Sequence, residues 1–129
     1  EYNTANGYNS LTTNTTGGNN TTIGASSLKF NTTGGNNTAS GFEALLANTT
    51  GGSNTACGNA SGYNNIDGSY NTFIGAGTDV SPANAKWTMS TALGANAKIT
   101  ASNQITLGTA TETVRVPGNL GVTGIITQW

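Results

Sequence analysis

Histidine is absent from this 129-residue chain, and cysteine occurs once, as Cys57. Without histidine, a thiol or hydroxyl nucleophile lacks its usual base. A single cysteine closes no internal disulfide. Charge is scarce as well: Asp, Glu, Lys and Arg make up 7% of the residues and the net charge is −1. That low net charge excludes disorder driven by charge repulsion. The four cations, Lys29, Lys86, Lys98 and Arg115, are scattered, so no basic surface for nucleic acid is expected. Apolar residues reach 34%, below the roughly 45–50% (Gly included) of an ordinary globular domain. No stretch approaches the about 20 apolar residues of a membrane span, and the pattern of a secretory signal does not open the sequence.

Asn, Thr and Gly stand where charge and apolar bulk are missing. They suit turns, left-handed positions and hydrogen-bonded ladders. They also repeat. Asn3-Thr-Ala-Asn-Gly7, Asn20-Thr-Thr-Ile-Gly24, Asn37-Thr-Ala-Ser-Gly41, Asn54-Thr-Ala-Cys-Gly58 and Asn71-Thr-Phe-Ile-Gly75 follow one another at intervals of 17 residues. A second phrase, Asn-Thr-Thr-Gly-Gly, begins at Asn14, Asn31 and Asn48 with the same interval. A period so short and strict is the signature of a solenoid, one repeat per coil. The fold class expected is therefore all-β: a parallel β-solenoid, or β-roll, with 17-residue coils.

Three regions follow from the period. Residues 1–79 are the repeat solenoid. Residues 80–89 are a loop insertion, read as a bulge carrying Trp87 outward. Residues 90–129 hold a last coil and a C-terminal β collar or cap, built from Ile105–Leu107, Val114–Val116 and Leu120–Val122. Seventeen residues at about 3.3 Å each give a contour of roughly 55 Å, room for two short strands per coil. One strand is expected at the Asn-Thr-Ala phrase and one around the column Leu11, Leu28 and Leu45. Phe42–Ala47 favours helix locally but is too short to hold one alone. The unbroken glycine column at 7, 24, 41, 58 and 75 marks a corner needing positive φ or close backbone approach. Cys57, fourth in its phrase, is read as a small side chain pointing inward. So thin a stack buries little, and a stable lone monomer is not expected.

The phrases Asn-Thr-Ala-x-Gly-x-x-x-Leu and Asn-Thr-Thr-Gly-Gly resemble the β-roll head repeats of trimeric autotransporter adhesins. They are even more similar to repeats in the long fibre proteins of phages and large viruses. Thr106-Leu-Gly108 and Val114–Gly124 resemble the collar of the same fibres. The resemblance covers nearly the whole chain. It implies a homotrimer, an extracellular, cell-surface or virion-surface location, and attachment to a cell surface. It departs from the adhesins in its longer, doubly glycinated coil and in Thr where they carry Val.

Catalysis is not expected. The carboxylates Glu1, Glu43, Asp67, Asp79 and Glu112 form no evident acid–base pair. The Gly-Gly-Asn-Asn turns carry amides where calcium-binding solenoids carry carboxylates, so no metal is expected. No Gly-Lys-Ser/Thr follows the glycine-rich corners, and no cofactor is expected. Asn-x-Thr/Ser triplets at Asn14, Asn19, Asn20, Asn31, Asn36, Asn48 and Asn59 are attributed to composition, not to glycosylation. Aromatics beside amides and hydroxyls suit sugars. The candidate ligand or glycan contacts are Trp87, Lys86 and Asn84 in the insertion, with Tyr8, Tyr63 and Tyr70 at corners. For Tyr8 and Tyr63, packing between subunits is the favoured alternative. The reading is a non-enzymatic fibre segment, stalk or head, that assembles with itself and meets a glycan or receptor. Alternatives are a self-assembling extracellular filament, with Trp129 at the joint, and an ice-binding protein using the threonine columns.

Overall fold

The computed structural model describes residues 2–118, 121 and 124. Seven short strands pair in parallel, one per coil: β1 (Thr4–Asn6), β2 (Thr21–Ile23), β3 (Thr38–Ser40), β4 (Thr55–Cys57), β5 (Thr72–Ile74), β7 (Thr91–Leu93) and β9 (Ile105–Leu107). Two others, β6 (Asp79–Val80) and β8 (Lys98–Ile99), form a second, two-stranded sheet. No helix occurs among the described residues. Thr4 pairs with Thr21, Thr21 with Thr38, Thr38 with Thr55 and Thr55 with Thr72, which is the 17-residue register read from the sequence. The insertion then stretches one interval, Thr72 pairing with Thr91, and the last shortens, Thr91 pairing with Ile105.

Each strand of the main sheet is three residues long, and side chains on a strand alternate between faces. The middle residue therefore points inward: Thr22, Ala39, Ala56, Phe73 and Ala92 are fully buried. The two flanking residues point outward. Cys57 is a flanking residue and lies exposed on the outer face, which corrects its reading as inward. The glycine that follows each strand is dictated by geometry. Gly41 has φ +141°, and a Cβ placed there would lie 2.3 Å from the carbonyl oxygen of Gly58 in the next coil.

The second extended segment expected around the leucine column is not extended. It is a run of turns in which alternate residues take positive φ: Ser26 (57°) and Leu28 (49°), then Glu43 (56°) and Leu45 (51°). Left-handed backbone costs a residue other than glycine roughly 1–2 kcal/mol. It persists because the alternation aims successive N–H groups up and down the stack. Ser26 N donates to Tyr8 O (2.8 Å) below, and Leu28 N to Ala44 O (2.9 Å) above. Leu28 and Leu45 are fully buried, as expected. The column fails at Gly62 because Phe73 takes the space: a Cβ on Gly62 would lie 2.9 Å from the Phe73 ring and 2.8 Å from Leu45 Cδ2.

Amides replace grease in the rest of the interior. Asn20, Asn37, Asn54 and Asn71 are buried in one column. Asn37 Oδ1 accepts from Asn54 N (2.9 Å), and its Nδ2 donates to Gly51 O (2.9 Å). The same pattern begins at Asn3 and runs through Asn71 to Ser90 and Gln104. A second column links side chain to side chain, Asn31 Nδ2 to Asn14 Oδ1 (2.7 Å) and Asn48 Nδ2 to Asn31 Oδ1 (2.8 Å). That ladder stops at Asn48, whose buried Oδ1 has no partner. The break comes one coil before the period itself changes. Asn14, Asn20, Asn31 and Asn48, four of the seven glycosylation triplets, each commit their amide nitrogen to a glycine carbonyl.

From Phe73 onward apolar packing takes over, with Val80, Ala92, Ala97 and Ile99 buried together. Among the described residues no separate collar is seen. Ile105–Leu107 joins the main sheet as β9. Val114–Val116 is not in a strand. Leu120, Val122 and Trp129 lie outside the described residues, as does Glu1.

Candidate functional site

The repeat surface is interrupted at one corner, where the insertion departs from the stack. The sequence reading has Trp87 carried outward here. The structure instead half-buries it against the apolar core, with Nε1 donating to Ser81 O (3.1 Å). Its backbone oxygen accepts from Asn71 Nδ2 (2.7 Å) and so takes the place held by a glycine carbonyl in each earlier coil. An inserted loop must still satisfy the asparagine ladder, and that requirement pulls Trp87 in.

Lys86 stays exposed and pairs with Asp67 at 2.8 Å. Asp67 also accepts from the hydroxyls of Thr49 (2.9 Å) and Thr50 (3.1 Å). The Lys86 hydrogen bond, then the one from Thr49, hold the Asp67 carboxyl below the usual carboxylate range. The same hydrogen bond, donated by Lys86 to Asp67, raises Lys86 above the usual lysine range. Tyr70, 66% exposed, is flanked by Ser69 and Asn71, which hold Met89 N and the Trp87 carbonyl; Met89 itself is exposed. Asn84 is exposed with φ 67°.

The fold thus gathers Tyr70, Lys86 and Trp87 into one corner, with Asn84 on the same insertion. It leaves Tyr8 and Tyr63 out. Tyr8 is exposed in the first coil and Tyr63 half-buried in the fourth, both on the run of turns. Asp67 and Met89 belong to the corner but were not read from the sequence as site residues. Asp67 replaces the second Thr of Asn-Thr-Thr-Gly-Gly, and that substitution is the clue that could have found it.

The two threonine columns differ. In the column of Thr15, Thr32 and Thr49, Thr15 Oγ1 donates to Thr32 O (2.8 Å) and Thr32 Oγ1 to Thr49 O (3.0 Å), so the hydroxyls are spent on the stack. In the outer one, Thr4, Thr21, Thr38, Thr55, Thr72 and Thr91 line the sheet's outward face without bonds of that kind. Beside them runs a second outward column: Asn6, Ile23, Ser40, Cys57, Ile74, Leu93 and Leu107.

Of the other carboxylates, Asp79 is buried. Its Oδ1 accepts from the backbone N–H groups of Asn64 and Val80 (both 2.9 Å), and its Oδ2 from Asn64 Nδ2 (2.7 Å). Glu112 accepts from Thr109 N (2.6 Å) beside an apolar cleft of about 530 Å³ lined by Leu93, Leu107 and Val114. Both carboxylates act as local caps. Among the described residues no three Asp, Glu or Cys side chains gather as a metal would need, and no helix is long and apolar enough to cross a membrane. No family model, curated protein or solved structure matches the chain.

Proposed function

We propose that this chain is a non-enzymatic segment of a fibrous surface protein, of adhesin or tail-fibre type, outside the cell or on a virion. It gives a rigid stalk or head for attachment to a cell surface or glycan. One observation carries the reading: seven parallel strands in unbroken stack, tied level to level by backbone and asparagine hydrogen bonds. Seven strands at about 4.8 Å make a rod roughly 30 Å tall. Such a rod transmits position and force, and repeats the same side chains at every level instead of assembling a pocket. Recognition falls to the corner of Tyr70, Lys86 and Asn84, where the repeat is broken on a rigid scaffold.

Binding of the purified chain to a panel of glycans and intact cells tests this. Y70A and K86A should lose binding with the circular dichroism spectrum unchanged. Retention of nothing by the wild-type chain, on any glycan or cell surface, would overturn the attachment role. The ice-binding alternative draws on the outer threonine rank, with its free hydroxyls. That array is one column wide, however, because the neighbouring column holds no threonine, and absence of thermal hysteresis would dispose of it.

A further inference from the structure

Three side chains from successive coils meet beside the insertion. Asp79 in β6 is almost fully buried, and Lys98 in β8 is its partner in the two-stranded sheet. Asn64, in the coil below, donates its backbone N–H to Asp79 Oδ1 (2.9 Å) and its Nδ2 to Asp79 Oδ2 (2.7 Å). That same Oδ2 stands 4.0 Å from Lys98 Nζ. Lys98 Nζ is itself held in place, donating to Gly77 O (2.8 Å). A carboxamide from below and a primary amine from above therefore converge on one sheltered carboxylate.

We propose that Lys98 and Asn64 become joined by an isopeptide bond, with Asp79 carrying protons between them. Asp79 Oδ2 accepts a proton from the Lys98 ammonium. The Asn64 amide turns about Cβ–Cγ, so that its Oδ1 accepts from the protonated Asp79 and its Cγ is polarised. The neutral Nζ attacks Cγ and forms the new bond, and the tetrahedral adduct collapses by breaking Cγ–Nδ2. Asp79 passes the two protons lost from Nζ to Nδ2, which departs as ammonium, and Asp79 ends ionised as it began. Nothing is oxidised or reduced and no co-reactant is consumed. The chain ends one ammonia lighter and without the Lys98 charge.

Three observations select this trio. The reactants are held by the fold, so the step is intramolecular, and an event needed once per molecule requires no turnover. The Asp79 side chain is 6% exposed and that of Lys98 43%, which keeps the proton carrier dry and leaves ammonium a route to water. The other lysine–aspartate pair, Lys86 with Asp67, lacks the third member. Threonine hydroxyls share the Asp67 carboxylate, and no carboxamide stands there to be attacked. The position also suits a brace. Asn64 precedes the insertion at 80–89 and Lys98 follows it, so the bond ties the coils where the period stretches and the asparagine ladder passes to Ser90. This inference stands on the trio alone and does not need the attachment role.

The test is the intact mass of the purified chain after prolonged incubation at neutral pH, followed by trypsin digestion. The expected result is a chain one ammonia lighter than its sequence. Trypsin should then fail to cleave after Lys98, and fragment 87–115 should be found attached to fragment 30–86. K98R keeps a cation beside Asp79 but lacks the amine, and it should keep the full mass and restore cleavage at that position. N64A and D79A should also keep the full mass. Should a variant fail to fold, the digest of the wild-type chain decides alone. A wild-type chain at its full sequence mass overturns the bond. Ammonia loss that persists in K98R marks succinimide formation, for which Asn6-Gly7 is the sequence candidate, and overturns it equally. Loss of water in place of ammonia, with Lys98 joined to Asp79, overturns the roles assigned to Asn64 and Asp79.

Discussion

The coils up to Asn65 and the levels from Phe73 to Leu107 share one sheet but are held by different forces. In the first region amides and small side chains surround the buried Leu28 and Leu45, and a column of asparagines ties each coil to the next. In the second the interior is Phe73, Val80, Ile99 and alanines, and the amide column is taken over by Ser90 and Gln104. The period is strict where the buried asparagine columns run and relaxed where apolar side chains fill the interior. A hydrogen-bond ladder fixes the position of every donor and acceptor within a few tenths of an ångström. Apolar contact is non-directional and tolerates a coil that is two residues longer or three shorter. The insertion and the short final coil both fall in the tolerant region.

Breaking the comparison starts with the glycine corner common to both regions. Gly41→Ala should have the largest effect, because the added Cβ meets the Gly58 carbonyl at 2.3 Å and neither backbone can yield without parting the coils. Loss of the cooperative thermal transition is expected. Phe73→Ala removes the largest buried side chain of the apolar region and should cost about 3–5 kcal/mol in denaturant unfolding. Gly62 beside it leaves nothing to fill the space.

Asn37→Ala strips the ladder of one rung. It leaves Asn54 N–H and Gly51 C=O without that partner, at a cost of about 2–4 kcal/mol. Hydrogen exchange sharpens this contrast, since Asn54 N–H should lose protection in Asn37→Ala and keep it in Phe73→Ala. The threonine columns give a finer test. Thr32→Val removes a hydroxyl bonded to Thr49 O and should cost about 1 kcal/mol. Thr38→Val, on the outer face, should stay within about 0.5 kcal/mol in the unassembled chain.

The smallest expected effect is on pH. Asp67 is held below its ordinary pKa, so its contribution is complete above about pH 4 and fades as pH falls through the lowered value. Lys86 is held above its own, so its contribution is complete below about pH 10 and fades as pH rises through the raised value. Between those limits the corner should be insensitive to pH. Trp87 fluorescence in a W129F background should show a small acid-side change, absent in Asp67→Asn. The pair is too exposed for a large effect.

The strand at each Asn-Thr phrase, its register and the glycine corners were legible because a 17-residue repeat encodes them at every level, and each copy confirms the others. Trp87 was not legible: an insertion has no second copy to compare, and only the ladder above it shows that its carbonyl must turn inward. Cys57 was misread for want of strand length, since three residues with a buried centre put the fourth place of the phrase outside. Lys86 meeting Asp67 likewise depends on how the inserted loop returns to the stack. The leucine turns could not be read from propensity, because no local preference favours left-handed leucine. That conformation exists only where coils above and below receive its N–H groups.

What the amino-acid sequence determined by itself was the solenoid and its pitch, because asparagine, threonine and glycine recur at the spacing one coil demands. What only the tertiary structure decided was which side chains share a corner, and which threonines are spent and which are free. Those follow from the direction each side chain takes around the coil, and direction is set by the backbone of neighbouring coils.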